Sequence, residues 1–200
     1  RDPSGSTRRI APPFLTPFKL RDLVLENRIV VSSMCQYSAE DGMPDDWHLV
    51  HLGSRAIGGA GLVMAEMTDV TPQGRITLGC TGLYDDKQVR AWKKIVEFIH
   101  KSSTAKVGIQ LGHAGRKGAS TLEWEGDEAL PEEKAWELLA PSAIPWNHHK
   151  RAPREMTAED MAEVKGHFAQ ATRRARKAGF DILELHCAHG YLLATFLSPL

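Results

Sequence analysis

The amino-acid sequence predicts an α/β chain with a parallel sheet, about four βα units that make up the N-terminal half of a (β/α)8 TIM barrel. Four short β-type runs alternate with longer helical patterns, which is how βα units read in sequence. Polar side chains collect at the C-terminal end of every run, where a parallel barrel places its site. Four strands do not close a barrel of eight, and an open parallel sheet exposes apolar edges. The remaining strands are therefore expected in a longer polypeptide.

Residues 1–13 read as a linker. Arg1-Asp2-Pro3-Ser4-Gly5-Ser6-Thr7-Arg8-Arg9 is polar and turn-forming, and Ala11-Pro12-Pro13 is a stiff lead into the barrel portion, residues 14–200. The opening residue is Arg rather than Met, and the segment lacks the apolar core of a secretion signal. Strand runs fall at residues 28–34, 61–67, 106–111 and 180–186. Between the first two, residues 47–57 place Leu49, Leu52 and Ala56 at helical spacing. Between the next two, residues 86–100 do the same with Val89, Trp92, Ile95, Val96 and Ile99. Thr157 is the expected N-cap of a third helix, along which Met161, Val164, Phe168, Ala171 and Ala175 step by three and four until Ala178-Gly179. Residues 112–156 form a long βα connection, of the kind that carries function in this fold class. Ser198-Pro199-Leu200 follows an apolar stretch with no closing helix, so both ends are expected to lie inside a larger chain.

Composition narrows the function classes. The 200 residues carry 25 basic and 25 acidic side chains, a formal net charge of +0, and no apolar run long enough to cross a bilayer. Basic residues are scattered, so there is no footprint for nucleic acid, and the cluster Arg173-Arg174-Ala175-Arg176-Lys177 reads as the solvated face of a helix. Cys35, Cys80 and Cys187 are an odd number at wide spacing, which suits a reducing, cytoplasmic setting better than a disulfide scaffold.

The strand-end rule selects Ser32, Ser33, Met34, Cys35, Gln36 and Tyr37 on the first strand and Glu66, Met67 and Thr68 on the second. On the third it selects Gln110 to Lys117, and on the fourth His186, Cys187, Ala188, His189, Gly190 and Tyr191. His186 and His189, with Cys187 between and His113 on the third strand, could ligate a metal in a barrel hydrolase. Such a site wants further His or carboxylate ligands, and the first strand end offers mainly Ser, Met and Tyr. Cys35 alone reads as a small buried hydrophobe. Tyr37 either donates its hydroxyl to a pocket or packs, while Arg116 and Lys117 either meet an anionic ligand or form a solvated loop face. Glu184 alternates with His186 on one strand face, so it points into the barrel, where an ion-pair partner is expected. A barrel kept only for binding or assembly is a third reading from a different class.

Three motifs carry a resemblance: Asn27-Arg28-Ile29-Val30-Val31-Ser32-Ser33-Met34-Cys35-Gln36-Tyr37, Gly108-Ile109-Gln110-Leu111-Gly112-His113-Ala114-Gly115-Arg116-Lys117 and Glu184-Leu185-His186-Cys187-Ala188-His189-Gly190-Tyr191-Leu192. In this order they resemble the old yellow enzyme family, particularly its bacterial branch with a cysteine beside the flavin. The resemblance implies an FMN oxidoreductase that takes hydride from NADH or NADPH and passes it to an activated, enone-type C=C bond. It implies that Ser32, Ser33, Met34, Cys35 and Met67 line the flavin and that Gln110 hydrogen-bonds its polar edge. It also implies that His186 and His189 bind the substrate carbonyl oxygen, that Tyr37 closes the pocket, and that Tyr191 protonates the α-carbon. Ser33 and Met67 depart from the proline and the small residue expected beside the flavin, and the phosphate-binding loops after the last two barrel strands are not in this sequence. Phe14-Leu15-Thr16-Pro17-Phe18, Asp46-Trp47-His48-Leu49-Val50-His51-Leu52-Gly53-Ser54-Arg55-Ala56 and Leu185-His186-Cys187-Ala188-His189-Gly190-Tyr191-Leu192-Leu193 are similar to the reductase part of fused 2-aminobenzoyl-CoA monooxygenase/reductase and salicylyl-CoA 5-hydroxylase enzymes. That likeness implies an upstream FAD domain and an aromatic-derived acyl-CoA as substrate. Whether the barrel pairs as a homodimer is left open.

Overall fold

The computed structural model describes residues 11–198. The expected linker lies mostly outside them. A 3-10 turn at Pro13–Leu15 leads into an antiparallel hairpin of β1 (Phe18–Leu20) and β2 (Leu23–Leu25). There follow β3 (Val30–Val31), α1 (Asp46–Ile57), β4 (Leu62–Asp69), α2 (Asp86–Ser102) and β5 (Lys106–Gly112). A long excursion then holds the two-residue strands β6 (Leu139–Ala140) and β7 (Arg154–Glu155). It is followed by α3 (Ala158–Ala178), β8 (Ile182–Leu185) and α4 (Leu192–Leu197). The central sheet runs β3-β4-β5-β8 with every pair parallel, four consecutive βα units of a barrel.

Side-chain parity sorts the two faces of this sheet. Val63, Ala65, Val107, Ile109 and Leu111 enter the core with Leu52 and Ala56 of α1, Ala171, Ala175 and Ala178 of α3, and all five apolar residues expected on α2. Each large side chain buried there is worth roughly 1.5–3 kcal/mol. Leu62 and Met64 point to the opposite, barrel-side face, where Leu25 of the hairpin and Ile182 pack on them. The hairpin thus covers the N-terminal ends of the strands and leaves their C-terminal ends for chemistry. Thr157 caps α3 as expected: its hydroxyl accepts from the Asp160 N–H, and Asp160 accepts from the Thr157 N–H in return.

Four features depart from the sequence expectations. The first strand pairs only over Val30–Val31, and beyond the expected run the Gln36 N–H donates to the Glu66 carboxylate. The β1–β2 hairpin, three residues a side, is too short to leave a periodic signal. The apolar stretch before Ser198 forms a helix, α4. Met161 is 40% exposed rather than buried. The apolar edges of the open sheet are evident in Val30 of β3 and Leu185 of β8, each more than 40% exposed. Among the described residues no helix is long and apolar enough to cross a membrane.

Candidate active site at the strand ends

The fourth strand delivers the most ordered group of polar rings. The His186 and His189 ring centroids are 5.1 Å apart, and Tyr191 stands edge-on to His186 at 4.7 Å and to His189 at 6.5 Å. The His186 Nδ1 accepts from the Ala188 N–H at 3.2 Å, so the neutral ring carries its proton on Nε2. Burial, then the neighbouring His189, lowers the His186 pKa and keeps the ring neutral. His189 (φ 57°) and Gly190 (φ 70°) are both left-handed. At Gly190 a Cβ would also lie 2.7 Å from the Trp146 ring, so two constraints demand glycine there. Strain of this kind persists only where surroundings hold it. Here the holder is Lys117, whose ammonium donates to the His189 carbonyl at 3.1 Å and sits 4.2 Å from the Trp146 ring centroid and 4.9 Å from that of Tyr191.

The first two strands supply the opposite wall. Cys35, Tyr37 and Tyr191 pack on a buried layer of Met67, Ile76, Cys80 and Ala114, so the structure brings together residues from strands one, two and four. Burial, reinforced by Glu66 and Asp69, pushes the Cys35 pKa up to about 12, which leaves a neutral thiol at physiological pH. Burial likewise raises the Tyr37 and Tyr191 phenols, so both keep their protons. Met67 is 2% exposed and forms the floor beneath this wall. Ser32 and Met34 are exposed and Ser33 half-buried at the end of β3.

Several sequence expectations resolve differently. Among the described residues Glu184 has no ion-pair partner. It is the direct cross-strand neighbour of Gln110 and accepts from the Gln110 amide nitrogen. Arg116 and Lys117 are neither a solvated face nor free, because Arg116 is 8% exposed and donates to Ser142 at 3.1 Å while Lys117 braces the histidine turn. His113 is buried in a separate place, its Nδ1 accepting from the Gly115 N–H, and burial brings its pKa to about 4. Cys35, Cys80 and Cys187 are all free.

The sequence reading missed Trp124 and Trp146 in the long excursion, the first edge-on to Tyr37 at 6.0 Å. It also missed Asp69, whose carboxylate is fully buried with no hydrogen-bond partner on either oxygen among the described residues. Burial raises its pKa well above the ordinary value, with Arg75 opposing. A carboxyl raised on folding confers its full stability below the unfolded pKa, and that contribution is lost as pH rises through the folded pKa. Asp69→Asn is therefore expected to match the parent in urea unfolding near pH 4 and to exceed it by about 1–3 kcal/mol at pH 8. Superimposable curves at pH 8 would refute this reading.

Half of a parallel barrel with donors, thiol and phenol converging at its strand ends places the chain among the (β/α)8 barrels that carry a site at this face. Residues 13–200 match the NADH:flavin oxidoreductase / NADH oxidase family, and the chain belongs to it, within the old yellow enzyme group. It is 44% identical over 193 residues to NADPH dehydrogenase of Bacillus velezensis, covering 96% of this chain and 53% of that protein. Morphinone reductase superposes with a TM-score of 0.82 at 27% identity, covering 96% of this chain and 52% of that one, and has also been solved with tetrahydroNAD. The old yellow enzyme of Pichia sp. AKU4542 gives 0.81 at 31% identity, over 94% of this chain and 49% of that one. The chain thus spans about half the length of the relatives it matches.

Proposed function

We propose that this chain forms half of the active site of an FMN-dependent NAD(P)H oxidoreductase that reduces activated, enone-type C=C bonds. The observation that carries the reading is the His186–His189–Tyr191 cluster, in which His186 presents an Nε2–H donor and Tyr191 a retained phenolic proton.

The residues present fit a flavin. An ionised carboxylate only accepts, so Glu184 takes the Gln110 NH2 and leaves the amide oxygen as an acceptor for a ring N–H. Gln110 would hold the polar edge of the ring, with Ser32, Ser33, Met34 and the neutral Cys35 along its side and Met67 behind. FMN, when bound, supplies the hydride after reduction by NADH or NADPH. His186 and His189 donate to the substrate carbonyl oxygen and stabilise the negative charge that develops there. Tyr191 delivers a proton to the α-carbon, and Tyr37 closes the pocket from the opposite wall.

The metal-dependent hydrolase reading is not favoured. His186 and His113 both use Nδ1 to accept a backbone N–H, so each neutral ring carries its proton on Nε2, a donor and not a lone pair for a metal. The likeness to fused acyl-CoA monooxygenase/reductases supports a finer proposal, an enone derived from an aromatic acyl-CoA. The free thiols support a reducing, cytoplasmic setting.

The test is the cofactor. Denaturing the complete polypeptide, purified after supply with flavin, should release about one FMN per barrel, since one barrel offers one such site. A folded sample that releases none would sink the flavin reading.

A further inference from the structure

The wall that faces Tyr191 is itself held by a buried carboxylate, Glu66, with His48 and then Asp45 behind it. Tyr37 has φ 50°, a left-handed conformation that costs energy for a bulky residue. Both of its flanks are fixed. On one side the Gln36 N–H donates to Glu66 Oε2 at 3.1 Å. On the other the Ala39 N–H donates to the Gly79 carbonyl at 3.0 Å, and a Cβ on Gly79 would lie 2.5 Å from the Tyr37 carbonyl oxygen.

Glu66 reaches Gln36 because it is the extra residue of a β-bulge. Ala65 pairs with Ile109 and Met67 with Gln110, so Glu66 drops out of the ladder and its side chain is re-aimed. The Glu66 and His48 side chains are 1% and 2% exposed, and Glu66 Oε1 lies 3.1 Å from His48 Nε2. His48 Nδ1 in turn lies 2.7 Å from Asp45 Oδ1. Burial works against a charge on His48, while contacts with Glu66 and then Asp45 more than offset it and raise its pKa. A buried ion pair contributes little to stability compared with apolar packing of the same volume. What this one does that a leucine could not is accept the Gln36 N–H between Cys35 and Tyr37.

We propose that Glu66, backed by His48 and Asp45, is a positioning residue: it touches no substrate but fixes the Gln36 N–H, and so sets Cys35 and Tyr37 against the buried layer on which Tyr191 also packs. That these two side chains face a substrate rests on the function proposed above. That Glu66 sets their placement does not, and the experiment keeps the two apart.

The rate of alkylation of each cysteine is followed by peptide-resolved mass spectrometry on the complete polypeptide, with and without added FMN. Cys187, which is exposed, reports the reagent, and Cys80, which is fully buried, reports global loosening. Glu66→Ala should speed labelling of Cys35 at least about tenfold with Cys80 unchanged, the consequence of losing one hydrogen bond to a charged group. Glu66→Gln removes the same negative charge but keeps an oxygen that can accept from Gln36, so it should stay within about threefold of the parent. That contrast separates geometry from the simple effect of charge on the thiol. Should Glu66→Ala not accumulate as folded protein, His48→Asn removes the support behind the carboxylate and should speed Cys35 labelling by roughly three- to tenfold. The proposal is overturned by an unchanged Cys35 rate in the variant that folds, by Cys80 accelerating in step with Cys35, or by Glu66→Gln matching Glu66→Ala. A protein that takes up no FMN would overturn the flavin reading and leave the labelling result standing.

Discussion

His186→Ala is expected to slow alkene reduction by the flavin-loaded protein by about 10²–10³-fold, the usual effect of removing one preorganised donor from a developing oxyanion. The donor is already set in the resting structure. Ala188 fixes the tautomer at 3.2 Å, burial and His189 keep the ring neutral, and the Gly190 turn braced by Lys117 holds His189 5.1 Å away. Nothing has to reorganise as charge appears on the carbonyl oxygen, which is why such donors are strong. Reduction of the flavin by NAD(P)H places no charge on an enone oxygen, so this half-reaction should change far less. Stopped-flow timing of the two half-reactions checks the result. Equal loss in both would mean that His186 supports the fold or the flavin and not the substrate oxygen. Phenolic ligands, whose oxygen mimics the enolate, should bind correspondingly more weakly.

What could be read from the sequence follows the range of the interactions involved. The helix α2 was legible because five apolar residues repeat at helical spacing, and all five are buried. The cap at Thr157 was legible because capping is local, involving residues three apart. The strand-end rule selects His186, His189, Tyr191, Cys35 and Tyr37 from sequence alone, and the structure brings Cys35, Tyr37 and Tyr191 onto one buried layer. The partners of Glu184 and Lys117 were not legible, since each lies more than seventy residues away along the chain and polar pairing leaves no period. The strand-end rule selects Glu66, but its partner was not legible: strict alternation would place it on one face of β4, and the bulge removes it from that count. His48 sits on the buried face of an amphipathic helix, where a polar residue is the only hint that something across from it needs a partner.

Tyr191→Phe is expected to slow alkene reduction by about 10²-fold or more, the low end of what a positioned general acid contributes. The phenol is well suited to the role because burial raises its pKa, so it keeps its proton across the physiological range. It also stands edge-on to His186 at 4.7 Å, which places the acid beside the donor that would hold the carbonyl oxygen. The α-carbon is the neighbour of the carbonyl carbon, so one short span separates the two tasks. The loss should be greatest for substrates whose enolate is too high in energy to form without proton delivery at the α-carbon. It should be smallest for nitroalkenes, whose reduced anion can leave and take a proton from water. Binding of phenolic ligands should persist in Tyr191→Phe, since the histidine donors remain, and this separates the variant from His186→Ala. Comparing the two substrate classes in single-turnover experiments decides the matter. A rate for enones that is unchanged by the substitution would remove Tyr191 from the chemistry and assign the proton to solvent.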